Sequence, residues 1–210
     1  MIAIIDYGVG NLYSLSHSLS HIGVENIVSR DPEIIASADK LILPGVGAFG
    51  DAKKKLDDTG LTPLIIRRAQ SGAPLLGICL GMQMLFDKSF EYGEHEGLHL
   101  IPGEIRPIEP DLSRPLKVPH IGWNTLNIVR PCRLTQYISE GDSVYYVHSY
   151  YAKNVGSALC ASSEYDVTIP GIVHNGSVYG TQFHPEKSGE IGLRILKAFA
   201  ESFPNTSKGA

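Results

Sequence analysis

Apolar residues follow two different rhythms along this chain. In the N-terminal half, short continuous apolar runs alternate with longer amphipathic stretches. Residues 2–6, 26–29, 40–44 and 74–78 are compact runs rich in Ile, Leu and Val and predict buried strands. Between them, residues 11–22, 49–56, 61–69 and 80–86 space their apolar positions as helices do, and 32–37 reads as a helical turn. Strand–helix alternation with strands apolar throughout predicts a parallel sheet covered by helices on both faces.

From about Gly97 the rhythm changes. Residues 117–120, 125–129, 144–151, 159–162, 172–174 and 178–183 are short, extended and separated by turn residues. Asn175-Gly176 is a strong hairpin signal, because both residues tolerate the positive φ of a tight turn. This half is expected to add antiparallel strands to the parallel centre. Residues 189–203 are expected to form an amphipathic closing helix with Ile191, Ile195, Leu196 and Phe199 inward. No linker or repeat divides the chain, so a single domain is expected over 1–203, with a frayed tail over 204–210.

The bulk numbers narrow the class without naming it. With 210 residues, 43% hydrophobic and 19% charged, the chain is large enough for one α/β core and polar enough for solution. A net charge of -4 gives no reason to expect nucleic acid or an anionic membrane as partner. The basic run Lys53-Lys54-Lys55 is followed by Asp57 and Asp58 and reads as a solvated helix face. Met1 leads straight into a strand with no basic start, so no signal peptide is expected, and no apolar run approaches a membrane span. The cysteines are Cys79, Cys132 and Cys160. The last two could pair, but nothing around them suggests a disulfide framework, and a reducing cytoplasm fits better.

Candidate chemistry centres on Cys79. The apolar run 73–78 enters Gly77-Ile78-Cys79-Leu80-Gly81, with glycine two residues on either side of a nucleophile. That is the elbow pattern, in which a sharp strand-to-helix turn holds the reactive side chain exposed at the strand's C-terminal end. A thiol needs a base to become a thiolate, and the base needs an orienting group. Both stand in Gln182-Phe183-His184-Pro185-Glu186, where His184 and Glu186 at i and i+2 share one side of an extended segment. A lone Cys and a lone His read more simply as a structural thiol and a loop histidine. The elbow glycines and the His-Pro-Glu together favour catalysis, and on spacing alone reach a Cys-His-Glu amide-type hydrolase.

With these segments the chain resembles the class I glutamine amidotransferases, a family with a flavodoxin-like mixed α/β sheet. The resemblance runs from the first strand to the last helix. Four more segments, Asp6 to Asn11, Leu43 to Phe49, Pro119 to Asn124 and Tyr146 to Tyr151, resemble the glutaminase subunits of imidazole glycerol phosphate synthase, from histidine biosynthesis. The resemblance implies hydrolysis of L-glutamine to glutamate and ammonia by Cys79, His184 and Glu186, without a cofactor or metal. Leu80, the residue after the nucleophile at a helix start, has a free amide suited to an oxyanion hole. Val46 joins it through the resemblance, which also implies glutamine contacts at Gly47, Gln83, Ser149 and Tyr150. It further implies a heterodimer with a (β/α)8-barrel cyclase that receives the ammonia. Asn11, His120, Trp123, Tyr145 and Lys187 are the expected interface.

Other motifs mislead. Gly45-Val46-Gly47-Ala48-Phe49-Gly50 is a literal G-x-G-x-x-G, but no Asp or Glu lies between Asp58 and Asp87 to hold a ribose. His95-Glu96-Gly97-Leu98-His99 matches H-E-x-x-H, yet Gly93, Gly97 and Pro102 argue against the helix that zinc chemistry needs. His17 and His21 lack a third ligand. Rival readings remain: a glutaminase subunit for pyridoxal phosphate or anthranilate synthesis, a cysteine peptidase or chaperone-like protein on a related scaffold, or a degenerate binding subunit.

Overall fold

The computed structural model describes residues 1–201. In chain order the N-terminal half runs β1 (Ile2–Ile5), α1 (Leu12–His21), β2 (Asn26–Ser29), α2 (Pro32–Ser37) and β3 (Lys40–Leu43). It continues with α3 (Phe49–Asp58), α4 (Thr62–Gln70), β4 (Leu75–Ile78) and α5 (Leu80–Met84). Short strands β5 (Lys88–Ser89), β6 (His95–Glu96) and β7 (Glu104–Pro107) follow, then β8 (His120–Thr125), β9 (Asn127–Ile128), β10 (Ser143–His148) and β11 (Tyr150–Lys153). Strands β12 (Leu159–Glu164), β13 (Thr168–Asn175) and β14 (Val178–Thr181) precede the last helix, α6 (Gly189–Glu201). The expected end of that helix at Phe203 and the expected tail lie outside the described residues.

The main sheet has the order β2-β1-β3-β4-β14-β13-β12-β9. From β2 through β14 all neighbours are parallel, and from β14 outward they are antiparallel. β1, β3 and β4 are buried along their whole length, which is why they read as unbroken apolar runs. Alternation sends Ile5, Leu41 and Leu43 to one face, where they meet Phe49, Leu56 and Ile65 of α3 and α4. Ile4, Ile42 and Leu76 go to the other, against Leu15 and Leu19 of α1 and Leu196 and Phe199 of α6. Each such side chain contributes about 1.5–3 kcal/mol on burial, so both helical layers are held by the same strands. The Asn175-Gly176 turn joins β13 to β14, with Asn175 opposite Val178.

Three expectations need correcting. Residues 144–151 are not one extended segment: the chain breaks at Ser149, with β10 pairing β8 and β11 pairing β7. The break is held because the Ser149 carbonyl accepts Ile108 N–H at 2.9 Å outside either ladder. Of residues 117–120 only His120 is in a strand, and the Val118-Pro119 peptide before it is cis. α5 stops at Met84 instead of Phe86, because the carbonyls of Met84 and Leu85 accept from Leu98 and Leu100, at 2.8 and 2.9 Å.

The β8–β10 ribbon is fastened by two buried histidines. His148 donates Nδ1–H to the Tyr150 carbonyl at 2.9 Å, so its Nε2 is an acceptor. His120 donates Nδ1–H to that Nε2 at 3.0 Å, and its own Nε2 accepts from the Asn124 amide at 3.3 Å. Every ring nitrogen is assigned with both imidazoles neutral. Burial depresses both, His120 to about 4 and His148 to about 3.

Two predictions come from this packing. A Cβ on Gly81 would sit 1.8 Å from the Leu43 carbonyl oxygen, so α5 can approach β3 only without a side chain there. Gly81→Ala is expected to cost more than about 3 kcal/mol in urea unfolding, whereas at an unhindered helix position the same change would gain about 1 kcal/mol. The second concerns acid. Unfolded histidines take a proton near pH 6.5 and these two, when folded, do not, so the unfolded state gains protons first. Stability should fall as pH drops from about 6.5 toward 4.5, at up to about 1.4 kcal/mol per pH unit per histidine. The double variant His120→Gln, His148→Gln should flatten this limb; an identical slope would refute the assignment.

Candidate active site

β4 ends at Ile78 and α5 begins at Leu80, leaving one residue to make the corner. Cys79 makes it with φ 54 and ψ -111, a left-handed backbone rare for a residue with a side chain. Strain of this kind costs about 1–3 kcal/mol. It is held by Cys79 N–H donating to the Thr181 carbonyl at 2.7 Å and Gln83 N–H donating to the Cys79 carbonyl at 3.0 Å. A Cβ on Gly77 would lie 2.7 Å from the Gly81 carbonyl oxygen, so the glycine on each side is required by contact.

β14 runs beside β4 and ends at Thr181, which carries residues 182–184 across the elbow. His184 donates Nδ1–H to Glu186 Oε1 at 2.8 Å, and both side chains are only 3% exposed. That bond sets the tautomer and leaves Nε2 as the acceptor, and the Cys79 sulfur, which lines the same cavity, is close enough to act on the ring's charge. The backbone fixes the ring as well: His184 N–H donates to Tyr145 O at 3.0 Å, and Ser188 Oγ donates to His184 O at 2.6 Å. Burial works against the charged imidazole, but the sulfur and the Glu186 carboxylate outweigh it and raise His184 well above its ordinary range. Residues 79, 184 and 186 therefore meet in one site, with His184 hydrogen-bonded to Glu186 and lining the same cavity as Cys79.

The sulfur opens into a cavity of about 290 Å³. Val46, Gly47 and Leu80 line it, together with Gln83, Ser149 and Tyr150. Gly47 has φ +90, and the loop before it is tied down by Tyr7 Oη–H donating to the Pro44 carbonyl at 2.7 Å. Gln83 Nε2 donates to both the Tyr150 carbonyl and Gln182 Oε1, each at 3.0 Å.

Two features of the site escaped the sequence, one buried behind the sulfur and one in the cavity wall. Gln182, its Oε1 held by Gln83, turns its Nε2 toward the Cys79 sulfur at 3.8 Å. It lies two residues before His184 on the same side of the segment, and that spacing was the available signal. Glu91, 9% exposed, lines the cavity, and one oxygen accepts Phe49 N–H at 2.7 Å at the start of α3. Burial raises its carboxyl above the usual range. No local motif marks it.

The expected interface residues divide. Trp123 is 59% exposed and packs edge-on against Tyr145, with ring centroids 6.0 Å apart, and Lys187 is exposed nearby in sequence to His184. Asn11 lines a narrow cleft with His184 and Glu186. His120 is not on that face. It is 3% exposed, because alternation along β8 turns it inward between Tyr146 and Tyr165. His95 and Glu96 are extended in β6, and no metal-binding cluster occurs among the described residues.

Comparison with known proteins agrees with this geometry. Residues 3–202 match the family model described as glutamine amidotransferase class-I. The chain is 51% identical to the imidazole glycerol phosphate synthase subunit HisH of Listeria monocytogenes serotype 4b (strain CLIP80459), over 96% of this chain and 95% of that one. It is 50% identical to the HisH of Lactococcus lactis subsp. lactis (strain IL1403), over 95% of this chain and 98% of that one. Among solved structures, PurLQS from Thermotoga maritima superposes with a TM-score of 0.72 at 19% identity, over 94% of this chain and 96% of that chain, which speaks for the fold. The chain belongs to the class I glutamine amidotransferases, and within them to the HisH subunits of imidazole glycerol phosphate synthase.

Proposed function

We propose that Cys79, His184 and Glu186 hydrolyse the side-chain amide of L-glutamine through a thioester, and that the ammonia passes to a synthase partner. The observation that carries this is the strained Cys79 backbone and a Glu-oriented imidazole lining one cavity. His184 Nε2 takes the thiol proton, and the sulfur attacks the amide carbon. The resulting oxyanion is stabilised by the amides of Val46 and Leu80. His184 returns the proton to the amide nitrogen, the C–N bond breaks and ammonia leaves. Water, deprotonated by His184, then attacks the thioester, and glutamate departs as the sulfur regains its proton. Glu186 keeps the imidazole in this tautomer and balances its charge without taking a proton.

Substrate recognition follows from the lining. Gln83 and the backbone of Gly47, Ser149 and Tyr150 hold the amino-acid end, and Glu91 receives the α-ammonium. A cation there restores the carboxylate that burial disfavours in the empty cavity. The partner is a (β/α)8-barrel cyclase that uses ammonia to make imidazole glycerol phosphate and an aminoimidazole carboxamide ribotide. Asn11, Trp123, Tyr145 and Lys187 are its contacts. Free ammonia would be protonated in bulk water, so the exposed aromatic ribbon beside the cavity suits a surface that seals on docking. No described helix is long and apolar enough to cross a membrane.

The test is glutamate release with and without the cyclase and its substrate. Low release from the chain alone and strong stimulation by the loaded partner are expected; stimulation only by a different synthase would overturn the pairing. Cys79→Ala should abolish glutamate release while still co-eluting with the cyclase. Glu91→Gln should raise KM for glutamine by about 10- to 100-fold with a smaller change in kcat, as loss of a buried charge partner implies.

A further inference from the structure

Three strands away from β4 in the main sheet, the other two cysteines face each other. β9 pairs with β12 through Ile128 opposite Ala161, and the amides of Val129 and Arg130 both donate to the Cys160 carbonyl at 2.9 Å. The chain then turns back through Pro131 and brings Cys132 over the same residue. Both thiols are free, and the two side chains are close enough to influence each other's ionisation; the Cys160 thiol itself donates to the Ala158 carbonyl at 3.7 Å.

The two sulfurs differ in surroundings. Cys160 has no solvent exposure and sits in the core beneath α6. Cys132 is half-buried, reachable from outside, and caps the 3-10 turn Arg133–Thr135. Its sulfur accepts the backbone N–H of Thr135 and of Leu134, and the Arg130 guanidinium lies against the neighbouring Cys160. Donors converging on one sulfur favour its anion. The neighbouring Cys160 and those backbone amides outweigh burial and lower Cys132 below its ordinary thiol range, while Cys132 and burial raise Cys160. A partly exposed thiolate next to a buried thiol is the arrangement of an attacking and a resolving cysteine.

We propose that Cys132 and Cys160 are a peroxide-reactive dithiol, a modification site separate from the glutamine cavity, which closes into a disulfide. The Cys132 thiolate attacks one oxygen of a hydroperoxide, ROOH. The O–O bond breaks, RO⁻ leaves and is protonated to ROH, and Cys132 becomes a sulfenic acid. Cys160 then attacks the Cys132 sulfur. The S–S bond forms, the S–O bond breaks, and hydroxide leaves with the Cys160 proton as water. Two thiols and ROOH yield one disulfide, ROH and water, with the peroxide taking up the two electrons that the sulfurs lose. The bond ties the 3-10 turn, which packs on α6, to β12.

The experiment uses the full chain under native conditions at pH 7 with stoichiometric hydrogen peroxide. Remaining thiols are alkylated without reduction, and the peptides are mapped by mass. A Cys132–Cys160 cross-linked peptide, lost on adding dithiothreitol, is expected. In Cys160→Ala, dimedone should label Cys132 at least about fivefold more than in the parent, because the sulfenic acid has no resolving partner. In Cys132→Ala neither cross-link nor label should appear at Cys160. Recovery of both cysteines as alkylated thiols from the oxidised parent overturns the proposal, and that measurement needs no variant to fold. Labelling of Cys160 in Cys132→Ala would also overturn it, since the buried sulfur would then be the one attacked.

Discussion

The backbone at Cys79 is the constraint on which the rest depends. A side-chain-bearing residue at φ 54 persists only where its surroundings leave no alternative. Here the surroundings are the parallel ladder on both sides. β3 presses a carbonyl against Gly81, and Thr181 of β14 takes the Cys79 amide. The strain of about 1–3 kcal/mol is small beside the burial energy of three fully buried strands, so the sheet can hold it. What the strain achieves is position. The sulfur stands at the carboxyl end of the sheet with the first amide of α5 beside it, and β14 delivers His184 from the adjoining strand.

The charge arrangement follows from that placement. An imidazolium inside the protein costs several kcal/mol unless it is paired, and here both partners are close at hand, the sulfur on one ring nitrogen and Glu186 on the other. Glu186 Oε2 meets no hydrogen-bond donor among the described residues. With only one oxygen engaged, the carboxylate charge acts on the imidazole and is not shared with competing donors. The neutral His120–His148 pair nearby is the contrast. Equally buried, it has no carboxylate beside it, so its protons are fixed by carbonyl and amide partners and it adds no charge to the site.

Much of this was legible because it is local. Unbroken apolar runs gave the parallel strands, and Asn175-Gly176 gave the hairpin. The elbow glycines at 77 and 81 declared a close approach that the Leu43 carbonyl explains. His184 and Glu186 were readable because two residues of extended chain share a side. What escaped depends on register between distant strands. Nothing near residue 91 says that its carboxylate caps α3, and nothing near residue 120 says that its ring faces His148 and not solvent. The break at Ser149 was invisible for the same reason, since residues 144–151 suit a strand throughout and the Ile108 amide that bends them lies far away in sequence.

The three cysteines show how far environment decides chemistry in one fold. Cys79 is bent out of ordinary backbone space toward an imidazole and a cavity, which suits attack on carbon. Cys132 caps a turn after the edge strand β9, where backbone amides favour its anion but the glutamine cavity lies far off, β9 being four strands from β4. Cys160 is sealed in the core with its thiol on the Ala158 carbonyl, so in the role proposed its reactivity waits on Cys132. The same thiol thus becomes nucleophile, sensor or resolver according to which donors and which space its backbone position supplies. Those positions are set by strand order and register, two properties of the sheet as a whole that no single motif encodes.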